Sequence, residues 1–366
     1  MQGAGVALCK VDMARQPIDK YLKKFLSNIF CVVGHNSPYQ LNDFVHVLMD
    51  AVEHTDFTNN TCIRIGGPTG ETVFSRLQNA DFEKIKTAFF RILKSIYPLF
   101  KRLLRNRQVA LAFDITDEPF YGKVEGFWIH AEQPVRGCTG CFKFLTISAV
   151  SHENKLILGS LPLSRGADLV ELILELLQQA KTFVHPEILL FDRGFDNLEL
   201  LARLQEAHVR YQILWRKQAW ATKILKKMKR GEVKEVIKVR KYSKDKSNYK
   251  IKVRYVFIKS YRRFANGKAY NWVFATNTRQ RSPHFYVDKY RKRWGIETIF
   301  RVLDNIQIKT TTKNEIIRYF INMFCCLVYN LWKIWCVLEQ KISLKNFVIS
   351  IVCIIRYTIL TDKPPD

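Results

Sequence analysis

Residues 109–215 predict an α/β fold, a mixed sheet flanked by helices, with a helical segment before it and a basic, β-rich insertion after it. Three observations carry the prediction. Apolar runs alternate with amphipathic patterns in the order β-β-β-α-β-α-β. Two of these runs, VALAFD (Val109–Asp114) and EILLFD (Glu187–Asp192), read as strands that end in an acid. Between residues 216 and 268, Lys and Arg are dense and alternate with apolar residues, as in strands with one covered face.

Composition narrows the function. The chain has 366 residues, enough for two or three domains, and an apolar fraction of 48% that argues for a packed core. A formal net charge of +26 implies a polyanionic partner. Nucleic acid is the simplest, and an anionic membrane surface competes with it. The nine cysteines are odd in number and mostly sit in apolar runs, while Lys10, Asp12 and Arg15 interrupt any secretory core at the N-terminus. Reduced thiols and a cytoplasmic, nucleoid-associated protein are expected. No Gly-rich phosphate loop of the Walker type is present, which argues against ATP use. Phe320–Leu338 is nearly long enough to span a bilayer, but Lys333, Asn322 and Asn330 fall within it, so a core helix and no membrane are expected.

In chain order, residues 1–106 predict a helical, DNA-binding domain. Asp19–Phe30 is amphipathic, and Ser37-Pro38 is a cap and first-turn pair for a helix to about His54. Thr55–Gly67 reads as a loop, Pro68–Glu71 opens a short helix, and Ala80–Arg105 is a long helix kinked at Pro98, with Lys101, Arg102, Arg105 and Arg107 at its end. Residues 107–215 form the first part of the catalytic core. Its strands are Val109–Asp114, Phe127–His130, Phe142–Val150, Glu187–Asp192 and Tyr211–Trp215, with a turn at His152–Lys155 and helices at Ala167–Phe183 and Leu198–Glu206. Residues 216–270 are the insertion, with strands Lys234–Tyr242 and Lys250–Ile258. Residues 271–338 complete the core, starting with a strand at Asn271–Ala275 and one helix over Pro283–Asp304, and residues 339–366 form a C-terminal helical segment.

The chemistry lies in three carboxylates on separate elements: Asp114, Asp192 and Glu297. In YRKRWGIETIFR (Tyr290–Arg301), Tyr290, Arg293, Glu297 and Arg301 are three and four residues apart and share one helix face. Carboxylates rimmed by cations suit a two-metal phosphoryl-transfer centre. Each acid alone has a plainer reading as a cap or turn former, and Asp117 and Glu118 are rival ligands near Asp114. Cys138-x2-Cys141 reads as a turn, or as half a zinc site with His130 or His152.

Together, LAFD (111–114), LLFDRGF (189–195) and the Y-x2-R-x3-E of Tyr290, Arg293 and Glu297 resemble the DDE transposases of prokaryotic insertion sequences, in the group with a Tyr-Arg-Glu-Lys signature. The similarity runs from about Val109 to Trp332. The resemblance implies a ribonuclease-H-like core in which Asp114, Asp192 and Glu297 bind two Mg2+ ions, with Mn2+ as a substitute. It implies that Tyr290 and Arg293 contact transposon-end phosphates, with Lys292 and Arg301 as further DNA-binding cations. Double-stranded DNA, as transposon ends and target, is the implied partner of a homodimer in a synaptic complex. The implied reaction is metal-dependent cleavage at transposon ends followed by strand transfer. A hairpin intermediate would bring a flipped base onto an aromatic residue, for which Trp215, Trp220 and Trp272 are the candidates. One departure is visible. The signature's Lys falls at position 304, which is Asp304, so Arg301 or Lys309 is left to supply the cation. Two alternatives stand beside this reading: a nuclease of the same fold without strand transfer, and an inactive DNA-binding derivative.

Overall fold

The computed structural model describes residues 12–31, 37–104, 109–150, 155–244, 247–263, 269–279, 282–338 and 341–361. Residues 152–154 of the expected turn at His152–Lys155 lie outside these residues, as do Arg105, Arg107 and the side chains of Lys101 and Arg102. Five helices come first: α1 (Asp12–Ile29), α2 (Leu41–His54), α3 (Thr58–Ile65), α4 (Gly70–Ser75) and α5 (Phe82–Leu104). Helix α2 starts later than expected. Ser37 exchanges hydrogen bonds with the Tyr39 backbone, and the start is set by Asp43, whose carboxylate accepts the Gln40 N–H at 2.6 Å. Helix α3 replaces an expected loop. Asp56 accepts from Phe57 N–H and Asn60, and Gly66 ends the helix at φ +69°, so local caps override a composition rich in Asn and Thr. Helix α5 runs through Pro98 as one element.

Eight strands form a single sheet in the order β3-β2-β1-β4-β5-β8-β7-β6. These are β1 (Val109–Phe120), β2 (Gly140–Val150), β3 (Lys155–Leu163), β4 (Pro186–Phe191), β5 (Tyr211–Leu214), β6 (Val233–Lys244), β7 (Ser247–Arg263) and β8 (Ala269–Thr276). Strands β1, β4 and β5 are parallel, and the remaining neighbours are antiparallel, so the sheet is mixed as expected. Three strand expectations need correction. Strand β1 continues six residues beyond Asp114 by pairing with β2. Phe127–His130 is not a strand. Gly126 turns the chain at φ +72°, and only a bridge between His130 and Cys141 remains. Strand β3 was hidden because Gly159, Ser160 and Pro162 break its apolar run. Pro162 is tolerated because β3 is an edge strand, and Gly159 is needed because a Cβ there would come within 2.9 Å of Leu176 Cδ2.

Helices α6 (Leu169–Ala180) and α7 (Leu198–Glu206) fall where predicted, and α8 (Ala219–Lys227) opens the insertion. The insertion extends the main sheet, because β8 pairs with both β5 and β7. The expected helix over Pro283–Asp304 is two helices, α9 (Pro283–Arg291) and α10 (Trp294–Leu303), followed by α11 (Glu315–Leu338) and α12 (Leu344–Thr361). One apolar cluster extends from Ile18 through the sheet to Ile355, so the N-terminal and C-terminal helices share a core with the sheet.

Two helices, α11 and α12, are long and apolar enough to cross a membrane by length and composition. Most of α11 is buried inside the protein. Its polar residues bind neighbouring groups there. Asn330 accepts from Ile157 N–H at 2.9 Å and donates to Ile157 C=O at 2.8 Å, and Lys333 lies 3.8 Å from the centre of the Trp332 ring.

Candidate active site

Strands β1 and β4 place two of the acids side by side. Their parallel register pairs Ala110–Phe113 with Ile188–Phe191, so Asp114 and Asp192 occupy the next positions at the end of that ladder. This is where open α/β sheets hold their sites. Asp114 therefore ends the parallel ladder while its strand goes on against β2. Period two sends Leu111 and Phe113 to one face of the sheet, and Ala110, Ala112 and Asp114 to the other. On that second face the small side chains of Ala110 and Ala112 let α10 come close, with Ile296 and Phe300 packed on them. Glu297, next to Ile296, arrives on the same face.

A tight turn separates α9 from α10. Arg293 N–H reaches Tyr290 C=O at 2.9 Å and Ile296 N–H reaches Arg293 C=O at 2.9 Å, a three-residue spacing that narrows the chain between the two helices. Tyr290 and Arg293 are therefore not on one continuous helix face. Tyr290 closes α9, buried against Trp272 and Phe274, and its hydroxyl donates to Asp192 Oδ1 at 3.0 Å. Arg293 caps α10. It is 4% exposed, bonds Asp114 Oδ2 at 3.2 Å, also bonds Glu297, and its guanidinium lies 5.6 Å from the Tyr290 ring centre. One buried cation thus serves three acids.

The electrostatics follow from that arrangement. Burial pushes the Asp114 carboxyl up to about 6, against the pull of Arg293, and the neighbouring charges of Asp192 and Glu297 push the same way. Burial also raises the Tyr290 phenol, so it stays a proton donor to Asp192. Arg293 is raised, because Tyr290 and the three carboxylates outweigh its own desolvation.

The structure brings Asp114, Asp192, Glu297, Tyr290 and Arg293 together. Lys292 and Arg301 stand outside that network: Lys292 is half-buried and lines a cleft beyond α10, and Arg301 is exposed one turn after Glu297. The rivals of Asp114 are engaged elsewhere. Lys143 holds Asp117 at 3.0 Å, and Arg318 holds buried Glu118 at 2.6 Å. Lys309 is exposed, and its backbone is tied to Asp56. Asp304 lines a small cavity with Thr116, Asp117 and Gln307, where burial raises its carboxyl. Cys138 follows Gly137, which adopts φ +88°, and its thiol donates to Val135 C=O at 2.9 Å, while His130 Nε2 is bonded to Leu163 C=O; among the described residues the two thiols and this histidine form no group of metal-ligand spacing.

The three tryptophans suggested for base stacking differ in exposure, and only Trp220 is partly open to solvent. Trp215 and Trp272 are buried in the core, and Trp220 is packed on Tyr255 and Phe257 beneath Lys238. Among the described residues the exposed tryptophan is Trp294, on the outer ridge of α10 with Glu297 and Thr298. The sequence carried its signal, a Trp one turn before the acid, but not its exposure.

Donor chemistry tests the fit to metal. Among the described residues, Asp50, Glu53 and His54, and separately Asp168, Glu171 and Glu199, bring ligand atoms within 4.8 Å of one another. Both groups are already neutralised, the first by Arg64 and Arg356 and the second by Lys244. The oxygens of Asp114, Asp192 and Glu297 form a looser group around Arg293. Two hard cations about 3.5–4 Å apart need carboxylates spread wider than one ion's shell. The three carboxylates are hard oxygen donors of the kind such a pair takes.

The family of the Transposase DDE domain matches residues 136–331. The chain belongs to that family. The matched residues take in Asp192, Tyr290, Arg293 and Glu297 and begin downstream of Asp114. Among solved structures, the chain is similar to piggyBac transposase in a cryo-EM structure of its synaptic complex with hairpin DNA. The TM-score is 0.57 at 13% identity, covering 96% of this chain and 82% of that one. At that identity the likeness concerns the fold, which is ribonuclease-H-like. No curated protein matches the sequence.

Proposed function

We infer that the chain is a DNA transposase of the cut-and-paste kind, which hydrolyses a phosphodiester at the element's ends and joins the freed 3′-OH to target DNA. The convergence of Asp114, Asp192 and Glu297 around one buried arginine is the observation that carries this reading. The residues that would hold two Mg2+ ions, with Mn2+ as a substitute, are these three acids, and a pair of such ions activates both the attacking and the leaving oxygen of an in-line displacement. Tyr290 orients Asp192 through its hydroxyl. Arg293 sets the angle of Asp114 and Glu297 and offers its charge to a phosphate. Trp294, exposed beside Glu297, takes the stacking role for an unpaired base. The N-terminal helices and the basic insertion bind duplex DNA through phosphates, and two copies synapse two ends. The prokaryotic insertion-sequence class and its Tyr-Arg-Glu-Lys signature belong to this reading through Tyr290, Arg293 and Glu297.

The test uses duplex DNA carrying the element's inverted ends, Mg2+, and the Asp192→Ala variant. Cleavage is expected to fall by about three orders of magnitude, which corresponds to several kcal/mol of lost charge stabilisation. Undiminished cleavage by the variant overturns the assignment. Asp304 favours a second reading, an inactive DNA-binding derivative, since an exposed acid stands where the signature has a cation. That reading predicts wild-type DNA binding unchanged by chelator and no cleavage at any metal concentration. Nicked strands without joined products would instead indicate a nuclease of the same fold.

A further inference from the structure

The far flank of α10 carries the opposite charge. A cleft of about 380 Å³ opens there, lined by Val150, Lys155, Asp288, Arg291, Lys292, Trp294, Gly295 and Thr298. Its one carboxylate, Asp288, lies 3.6 Å from Arg291. Lys155, at the start of β3, is half-buried and meets no carboxylate among the described residues. Desolvation lowers its amine. Lys333, lowered mainly by its own burial, is lowered further by the like charge of Lys155. Lys292 is lowered by burial and by Lys289, whose own partner is Glu187. Uncompensated cations held partly out of water are costly unless an anion joins them.

The cleft depends on a close approach. A Cβ on Gly295 would stand 3.1 Å from Val150 Cβ and 3.3 Å from Lys155 Cε, so glycine lets α10 bring Lys292 beside Lys155. Between the cleft and Glu297 runs the exposed ridge of Trp294, Thr298 and Arg301. A helix is about 10–12 Å across with its side chains, and the major groove of B-DNA is about 12 Å wide. A helix seated in that groove has one strand's phosphates on each side.

We propose that the Lys155–Lys292 cleft holds the phosphates of the DNA strand complementary to the one held at Asp114, Asp192 and Glu297, with α10 lying in the groove between them. The inference rests on the transposase reading and adds the second strand to it. The cations on the two flanks of α10 then differ in what they face: Arg293 balances acids, and Lys155 receives a phosphate.

The experiment measures the binding of the full chain to duplex and to single-stranded DNA of one sequence across a salt series. Lys155→Met removes the charge while keeping the stem, and Lys155→Arg keeps the charge. For duplex, Lys155→Met should flatten the slope of log Kobs against log salt by about 0.9, the loss of one phosphate contact, and Lys155→Arg should retain it. For single strands both variants should match the wild type. The thermal midpoint of Lys155→Met should be equal to or above that of the wild type, because a desolvated charge is gone. An unchanged duplex slope with intact wild-type binding overturns this inference alone. An equal loss on single strands overturns the assignment to the complementary strand. Failure of the wild type to bind any duplex removes the transposase reading, and this inference with it.

Discussion

The two flanks of α10 make a contrast in charge management. On one side Asp114, Asp192 and Glu297 share a single buried arginine. On the other, Lys155 and Lys292 sit in a cleft whose one acid is spent on Arg291. A soluble core would pair these groups across the helix. Here Ile296, Phe300, Ala110 and Ala112 fill the space between and keep them apart. The difference teaches that the free chain stores unfavourable charge on both sides of one helix, which a ligand of the opposite sign on each side would relieve.

The largest break in that contrast should come from Arg293→Met. It removes the cation common to three acids and leaves a largely buried carboxylate unpaired, so unfolding in urea at pH 7.5 should show a loss of about 3 kcal/mol. The loss should shrink toward pH 5, where Asp114 becomes protonated.

Asp114→Asn should act in the other direction. The carboxyl is raised to about 6 in the folded chain from an ordinary value of 3.8, so the folded state binds the proton more tightly than the unfolded one. The stability that this proton contributes is complete below about pH 4 and is lost as pH rises through 6. At pH 7.5 in chelator the native Asp114 therefore costs roughly 2–3 kcal/mol. Asp114→Asn should raise the thermal midpoint at pH 7.5, and the gain should vanish by pH 4 while cleavage is abolished. A midpoint that falls at pH 7.5 would show that the Arg293 pair outweighs burial.

The smallest effect belongs to Gly295→Ala. In a helix interior this change stabilises by up to about 1 kcal/mol, and in the first turn, where Gly295 lies, by less. Here the new methyl meets Val150 and Lys155, so the gain should cancel to within about 0.5 kcal/mol. A full gain in the thermal midpoint would mean that α10 moves freely away from β3, and that the cleft is not held closed by packing.

Much of the framework could be read in the chain. Continuous apolar runs placed β1, β2, β4 and β5, charged–apolar alternation placed the insertion strands, and helical stripes placed α5, α6, α7 and α11, because a strand covered on both faces is apolar throughout while burial of one face imposes a period. Strand β3 escaped because Gly159 and Pro162 are tolerated only at a particular contact and on a particular edge, which local pattern does not encode. Helix α3 escaped because its caps outweigh its composition. The break after Tyr290 escaped because Tyr290–Arg301 has the same helical spacing throughout, while Tyr290 is drawn into the Trp272–Phe274 pocket and α10 onto Ala110 and Ala112.

For the site, the sequence by itself determined which acids are candidates, since Asp114 and Asp192 follow apolar runs and Glu297 stands alone among cations. Residue type and local period are properties of short stretches, and they survive without knowledge of the fold. Only the tertiary structure decided the rest. It put Asp114 and Asp192 side by side through the β1–β4 register, brought Glu297 over them, and made Arg293 their common partner. It buried Trp215 and Trp272, exposed Trp294, and set Lys292 with Lys155 in one cleft, on the other flank of α10 from the acids. Those outcomes depend on contacts between residues far apart in the chain, such as Arg293 with Asp114 across 179 positions, and burial at that range is set by packing rather than by neighbours in the chain.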